Sequence, residues 1–562
     1  MPYLQGIAFP VAWATGFFQP VPGDPRLLSP DTCLVTEVAM LAFVIFLNGL
    51  CVMILEMAGA RLLAPWLGTS IIVWTSIIGV ILASLSLGNW LGGRLGDKIL
   101  CDAPAGKKSS APATPALQKA LSTLSHLFAG AAASVLLCAL AQSFVLEAVS
   151  ATDMPLHIAT LVVTTALFAL PGFLCGMISP FITRIAIVGR DNPGSIIGKL
   201  GAIATLGSIA GTFLGGFFLI AWFGTTTIIY GIAFCMLGAA VLVWQKALLH
   251  KAVVGALIGL SLLFQHNLDE QAQASGAMTI ETQYNTIRIF DGRMENRAMR
   301  LMQTDPGSYQ SGMFVDDPTE LAFPYTRFYA LGTLARPQAG NILMLGGGGY
   351  SVPKWLLAGK SGLEKDSLTL DVVELDPGIS SAAKKFFAVP EDSRMTIFDE
   401  DARTFLNRRA NKKDAPLYDL VFTDIFNSYY TVPFHVGTVE AAKKMHTMLA
   451  EDGLEVMNII SSLEGENGRL LRGIYNAFAE VFPAVELYPV HYPNSPQVVQ
   501  NIMLVAGNNA QGNFAEAAKQ HPRLANLLAN KYTQPVANDI PPLRDSFAPV
   551  EQYTLGLATR SR

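Results

Sequence analysis

Apolar residues are spread unevenly along this chain. Apolar runs long enough to cross a bilayer occur at about 38–57, 71–92, 125–148, 158–183, 200–222 and 225–245. A seventh run, 252–266, covers only about 15 residues. That is short for a span and fits an interfacial or re-entrant helix equally well. Past residue 276 the period shortens. Alternating runs at 286–290 and 298–303 flank Asp291-Gly292, a turn signal, and predict a small β-meander over about 277–312. A helix is expected at 325–334. Strands are then expected at 341–345, 368–373, 395–398, 418–423 and 453–459. Helical stretches at 352–358, 379–387 and 440–449 fall between them. Strand and helix in alternation argue a parallel, doubly wound sheet with crossover helices.

These patterns divide the chain into five parts. They are an N-terminal segment (1–37), a transmembrane domain (38–270), a β-rich subdomain (277–325), a nucleoside-binding α/β domain (326–507) and a C-terminal helical appendage (508–562) to which no role is assigned. Charge follows the same division. Residues 38–266 hold 17 Asp, Glu, Lys and Arg, far below the chain-wide 15%. Net charge is -4, so no basic field points to nucleic acid. The opening residues have a weak apolar run broken by Pro10 and no basic start, a poor match to a signal peptide. The stretch 102–115, rich in Ala, Pro, Ser and Lys, reads as a flexible linker. All six cysteines lie in or beside the apolar half, with no CxxC pair, so no metal cluster or disulfide frame is indicated.

Basic residues in short loops stay on the cytoplasmic side. Arg94, Lys98, Lys107, Lys108 and Lys119 follow the second span, Arg184, Arg190 and Lys199 the fourth, and Lys246 and Lys251 the sixth. Loops 150–155 and 223–225 contain no Lys or Arg. Even-numbered span ends are therefore expected in the cytoplasm. Three further features stand out in this half. Glu56 lies near the end of the first span, five residues before Arg61; an acid at that depth is either functional or paired at the interface. Gly207, Gly211 and Gly215 recur every four residues on one helix face, the spacing of close helix packing. Pro171 and Pro180 bracket Gly172 and Gly176 in the fourth span, the mark of a kinked helix.

In doubly wound sheets, ligands bind beyond the carboxyl ends of the strands. The first α/β strand runs into Gly346-Gly347-Gly348-Gly349, where the backbone can approach a ligand. Glu374 ends the next strand, placed to accept hydrogen bonds from ribose hydroxyls. Asp401 follows the third and could take an adenine amino group, and Asp424 follows the fourth, facing the reacting centre. A GxGxxG motif is not met, because its third glycine falls on Ser351. Helix N-caps account for one or two such acids, but poorly for the whole series.

Together, LMLGGGGYS, VVELDP, DARTFL and YDLVFTD resemble the spermidine synthase family of aminopropyltransferases, whose α/β domain is Rossmann-like and methyltransferase-type. ETQYNTIRIF and GSYQ are similar to that family's N-terminal β-domain. ILEMAGARLLAPWLG and ATLGSIAGTFLGGFFLI resemble its membrane-fused branch. The resemblance implies S-adenosylmethionine or its decarboxylated form as cofactor, and no metal. Gly346 and Gly348 would approach that cofactor, Glu374 would hold its ribose, and Asp401 with Ala402 its adenine. Gln310 would help bind cofactor or amine, and Tyr325 would line the amine tunnel. Asp424 matches the family's catalytic aspartate, which takes a proton from the attacking amine.

Departures from the family pattern fall in the amine half. The acid of GGGDGG is Gly349, the family's Gln after Tyr284 is Asn285, and the family's YQE reads Tyr325-Thr326-Arg327. A diamine needs carboxylates, so ordinary putrescine is disfavoured as acceptor. Arg327 is either a site for an anionic group or a surface helix residue. His435 is either a second proton carrier or a packed loop residue, and Tyr429 and Tyr430 either line the acceptor pocket or cover the sheet edge. Because such a cofactor is made in the cytosol, six spans are preferred to seven, with the soluble domain cytoplasmic on the inner membrane. Expected partners are a small-molecule or membrane-associated acceptor, the lipid bilayer and, as an option, a second copy in a homodimer. The competing readings are a transporter governed by a nucleoside-sensing domain and an inactive scaffold.

Overall fold

A computed structural model describes residues 31–68, 70–101, 115–150, 152, 154–188, 190, 192–244, 251–263, 277–294, 296–304, 309–363, 368–412, 415–425, 433–508, 510–520 and 522–558. The linker at 102–114, the first 30 residues, and Tyr429 and Tyr430 lie outside them. The chain divides into two compact units, one drawn from the first 269 residues and one made of Glu270–Arg562 with the short stretches Ala64–Ile71 and Asp153–Leu156.

Among the described residues six helices are long and apolar enough to cross a membrane: Val38–Ala64, Ile71–Leu100, Pro115–Val149, Leu156–Ile187, Pro193–Trp222 and Thr225–Val243. The run at 252–266 appears as a shorter apolar helix, Lys251–Leu263. Glycine lets these helices meet. A Cβ on Gly207 would fall 2.1 Å from the Phe46 carbonyl oxygen, and one on Gly211 2.4 Å from that of Leu50. The spaced glycines of the fifth span thus form a seam with the first, as their periodicity predicts. A second seam joins spans two and four. There Gly88 lies against Phe173, Gly92 against Met177, and Gly176 against Leu85, each with a backbone oxygen within 2.6 Å of an added Cβ. Helix Leu156–Ile187 carries Pro171 and Pro180 inside it, and Gly172 and Gly176 serve this packing. The fifth span contains a π-helical stretch, Leu214–Leu219, just past its glycine seam.

The second unit begins with an antiparallel meander of β1 (Met278–Glu281), β2 (Thr286–Met294), β3 (Arg297–Gln303) and β4 (Ser311–Phe314). Asp291-Gly292 is not its turn. Both residues stay extended inside β2, because the Asp291 carboxylate pairs across the ladder with Arg300 at 2.8 Å. The chain reverses instead beside Asn296, which takes the left-handed conformation at φ 66. A 3₁₀ helix (Pro324–Tyr329) and a short α-helix (Ala330–Ala335) stand where one helix was expected.

A seven-stranded sheet follows, in the order β10-β11-β9-β8-β5-β6-β7. Its strands are β5 (Asn341–Leu345), β6 (Thr369–Glu374), β7 (Met395–Asp399), β8 (Tyr418–Thr423), β9 (Leu449–Ser461), β10 (Ala484–Pro489) and β11 (Gln500–Gly507). β5 to β9 are parallel, as expected for a Rossmann-like domain. The sheet is nevertheless mixed, because β10 and β11 close it with antiparallel pairings to each other and to β9. Both faces are covered. Ile342, Met344, Phe422 and Val456 pack on one side, and Leu343, Leu345, Val421 and Met457 on the other. That two-sided burial is why these strands read as unbroken apolar runs. The C-terminal residues complete both cores: Phe514 and Leu524 join the first, Leu543 and Val550 the second.

Candidate active site

The ends of β5, β6 and β8 meet at the glycine-rich loop. Gly346 has φ +94, and an added Cβ would lie 2.2 Å from the Asp424 carbonyl oxygen. Glycine is therefore required there twice over, for conformation and for space. The Asp424 amide donates to Leu345 O, and that of Gly346 to Val373 O, both at 2.8 Å. Gly348 is also left-handed at φ +51. Its neighbour Gly349 donates its N–H to Ser311 Oγ at 2.7 Å, and a Cβ there would meet the Ser311 Cβ at 2.7 Å. The space a side chain at position 349 would need is thus filled by a serine from β4.

Glu374 is buried beneath this loop. Its Oε2 accepts the N–H of Gly347 at 2.9 Å and of Gly348 at 3.1 Å, and its Oε1 accepts that of Asp376 at 3.1 Å. Burial pushes the Glu374 carboxyl up, and these amides pull against it. Each carboxylate oxygen offers about two acceptor directions, so Oε1 retains capacity for a ligand hydroxyl. Asp376 caps the next helix through Gly378 and receives Asn285 Nδ2 at 2.9 Å. Asn285 therefore ties the meander to this loop.

Asp424 lies deep in the site yet keeps part of its surface open. Its Oδ2 accepts the Tyr325 hydroxyl at 3.1 Å, and its Oδ1 accepts Asn458 Nδ2 at 2.9 Å. Burial pushes its carboxyl above the ordinary range, and these two donors oppose the shift. The carboxylate and the hydroxyl of Asp424 and Tyr325 are 99 residues apart in sequence and in direct contact here. Asn458 escaped the sequence reading. Its signal was a lone amide within the apolar run of β9.

Other expected residues stand apart from this contact. Asp401 N-caps helix Ala402–Ala410 through Thr404 N at 2.9 Å, and its other oxygen meets His435 Nε2 at 3.1 Å. The His435 hydrogen bond holds the Asp401 carboxyl down at about 2. Ala402 opens that helix and packs in the second core. Gln310 turns its side chain to Thr304 Oγ1 at 2.8 Å, one residue before the loop contact made by Ser311. Arg327 donates its Nε to Leu321 O at 3.2 Å and makes no ion pair among the described residues. Among the described residues, no group of three or more His, Cys, Asp or Glu gathers as a metal site.

The chain is 31% identical over 166 residues to a polyamine aminopropyltransferase of Vibrio vulnificus, covering 29% of this chain and 53% of that one. This chain resembles the polyamine aminopropyltransferases. It spans about half the length of the curated relatives it matches first. An N-terminal histidine N-methyltransferase of Emericella nidulans is 29% identical over 126 residues, which is 22% of this chain and 21% of that protein. A solved structure of a probable spermidine synthase from Corynebacterium glutamicum aligns with a TM-score of 0.39 at 20% identity, over 48% of this chain and 97% of that one. No family model matches the chain.

Proposed function

We propose that this protein is a membrane-bound transferase that uses S-adenosylmethionine or its decarboxylated form to alkylate an acceptor other than ordinary putrescine. The observation that carries the reading is the Asp424 carboxylate, held by Tyr325 and Asn458 beside a glycine loop whose amides are gathered by buried Glu374. The loop fits a nucleoside because its backbone is bare where a ligand would pass. Gly346 and Gly348 would lie against the cofactor, Glu374 would take ribose hydroxyls, and Asp401 with Ala402 would face the base. When bound, the cofactor supplies an electrophilic carbon beside a sulfonium. Asp424 would then accept a proton from the acceptor at Oδ1 or Oδ2, and Tyr325 would keep that carboxylate aimed.

The acceptor half of the site supports a substrate other than a diamine. Gly349 leaves no room for a carboxylate, and Arg327 brings a positive charge where the family has an acid. An acceptor that is small or membrane-associated suits a chain with six long apolar helices among its described residues. Arg94, Lys98 and Arg184 at the ends of spans two and four support a cytoplasmic second unit. Calorimetric binding on the detergent-purified protein tests the reading, with S-adenosylmethionine and its decarboxylated form compared. Asp424→Asn should bind either ligand but not turn over. Preference for the decarboxylated form would favour aminopropyl transfer, and preference for the intact form another alkyl transfer. Binding of neither would sink the proposal.

A further inference from the structure

Asp424 is not the end of its hydrogen-bonded chain. Asn458 donates to Asp424 Oδ1 at 2.9 Å, and Asn501 Nδ2 donates to Asn458 Oδ1 at 3.0 Å. Asn458 lies on β9 and is almost fully buried. Asn501 lies on β11, the strand that pairs antiparallel with β9. A carboxylate only accepts hydrogen bonds, so Asn458 must turn its NH₂ toward Asp424. Its carbonyl then faces away and needs a donor, since a buried amide oxygen without one is costly. Asn501 supplies that donor. It therefore fixes the orientation that Asn458 needs in order to hold the charged form of Asp424.

We infer that Asn501 and Asn458 form a two-amide relay that orients Asp424 and keeps it a carboxylate, so that both are positioning residues for the proton acceptor. The catalytic meaning of the relay rests on the transferase reading above; its effect on Asp424 does not. Among the described residues, the titratable groups facing Asp424 are the phenols of Tyr325, which donates to it, and Tyr329, from the same 3₁₀ helix. β5 contributes backbone, and β9 and β11 contribute the two amides. No Lys, Arg or His among the described residues hydrogen-bonds this carboxylate, so the relay and Tyr325 are what oppose its burial.

The test uses the full-length protein in detergent, with melting temperature followed from pH 4 to 9. Wild type, Asn458→Leu and Asn501→Leu are each compared with the same protein carrying Asp424→Asn, and the difference isolates Asp424. An acid raised in the folded state loses stability as pH climbs from its unfolded to its folded pKa, then levels. In Asn458→Leu the upper limit of that window should rise by about one to two pH units, the worth of one hydrogen bond to a charged group. Asn501→Leu should move it the same way by less, and it keeps the test alive where Asn458→Leu fails to fold. An Asp424-dependent window that stays put in both variants would overturn the relay. A shifted window with no binding of either cofactor form would keep the relay and sink the transferase reading. Binding with an unmoved window would do the reverse.

Discussion

Two glutamates on the same sheet meet opposite treatment. Glu374, at the end of β6, collects three backbone N–H groups. Glu455, inside β9, is fully buried, and among the described residues no hydrogen bond of ordinary geometry reaches either of its oxygens. Thr423 Oγ1, from the adjacent strand, likewise has no bond of ordinary geometry among the described residues, and its hydroxyl is what opposes the burial of Glu455. Burial pushes both carboxyls up, and Glu455 reaches about 8. Burial is therefore not what separates these two acids. The donors do, and they lie where the strand ends and the backbone turns free. Asp424 falls between the two, with two side-chain donors.

The largest effect should come from removing the acid with the weakest hydrogen-bond support. Glu455 has a folded-state pKa raised from 4.5 to about 8. The folded protein thus holds a proton that the unfolded chain releases between those values, and stability falls as pH rises across that window. Above it the cost is on the order of 5 kcal/mol. Glu455→Leu should remove most of that fall, raising the melting temperature at pH 9 and leaving it nearly unchanged at pH 4. Equal melting curves for both proteins at pH 9 would show that Glu455 finds a partner in solution.

Asp424→Asn should come next, and it tests function rather than stability. Loss of a positioned proton acceptor costs about 10³ in turnover, roughly 4 kcal/mol. Cofactor affinity should hold within a few-fold in calorimetry. A variant that loses binding and turnover together would place Asp424 with Glu374 as a holding group.

Glu374→Gln sharpens the comparison from the other side. A glutamine keeps one acceptor oxygen and no charge, so either the Asp376 N–H or the Gly347 and Gly348 pair meets an NH₂ in place of a carboxylate oxygen. Nucleoside affinity should drop about 10- to 100-fold, the worth of a hydrogen bond to a charged group. Melting temperature should fall as well, opposite in sign to Glu455→Leu. Unchanged affinity would remove Glu374 from the ligand-holding set.

Much of this site was legible from residue order, because a doubly wound sheet puts strand ends on one edge. Gly346, Glu374 and Asp424 each follow an apolar run, and they converge as that rule requires. The glycine seam at Gly207 and Gly211 was legible for a similar reason, since four-residue spacing fixes a helix face. Asn458 and Asn501 were not, because strand periodicity assigns a face but not a partner on another strand. The antiparallel closure by β10 and β11 was missed as well. Nothing in the spacing of 484–507 distinguishes an antiparallel return from a further crossover, and only the pairing with β9 decides it. Asp291-Gly292 misled because a cross-strand arginine outweighs a local turn preference.

Asp401 offers the smallest and most discriminating effect. Unlike Glu455, it is only partly buried and has donors on both oxygens, Thr404 N on one and His435 on the other. Its pKa is depressed to about 2, so its contribution is present above 3.8 and is lost as pH falls through the folded value. Asparagine caps a helix about as well as aspartate, whereas alanine costs about 1 kcal/mol. Asp401→Ala should therefore lower the melting temperature at pH 7 more than Asp401→Asn does. If Asp401 also meets the adenine, both variants should weaken nucleoside binding, including the asparagine that spares the cap. If only the alanine variant binds less tightly, Asp401 acts on the nucleoside solely by holding the helix Ala402–Ala410 in place, and it leaves the set of acids proposed to meet the cofactor.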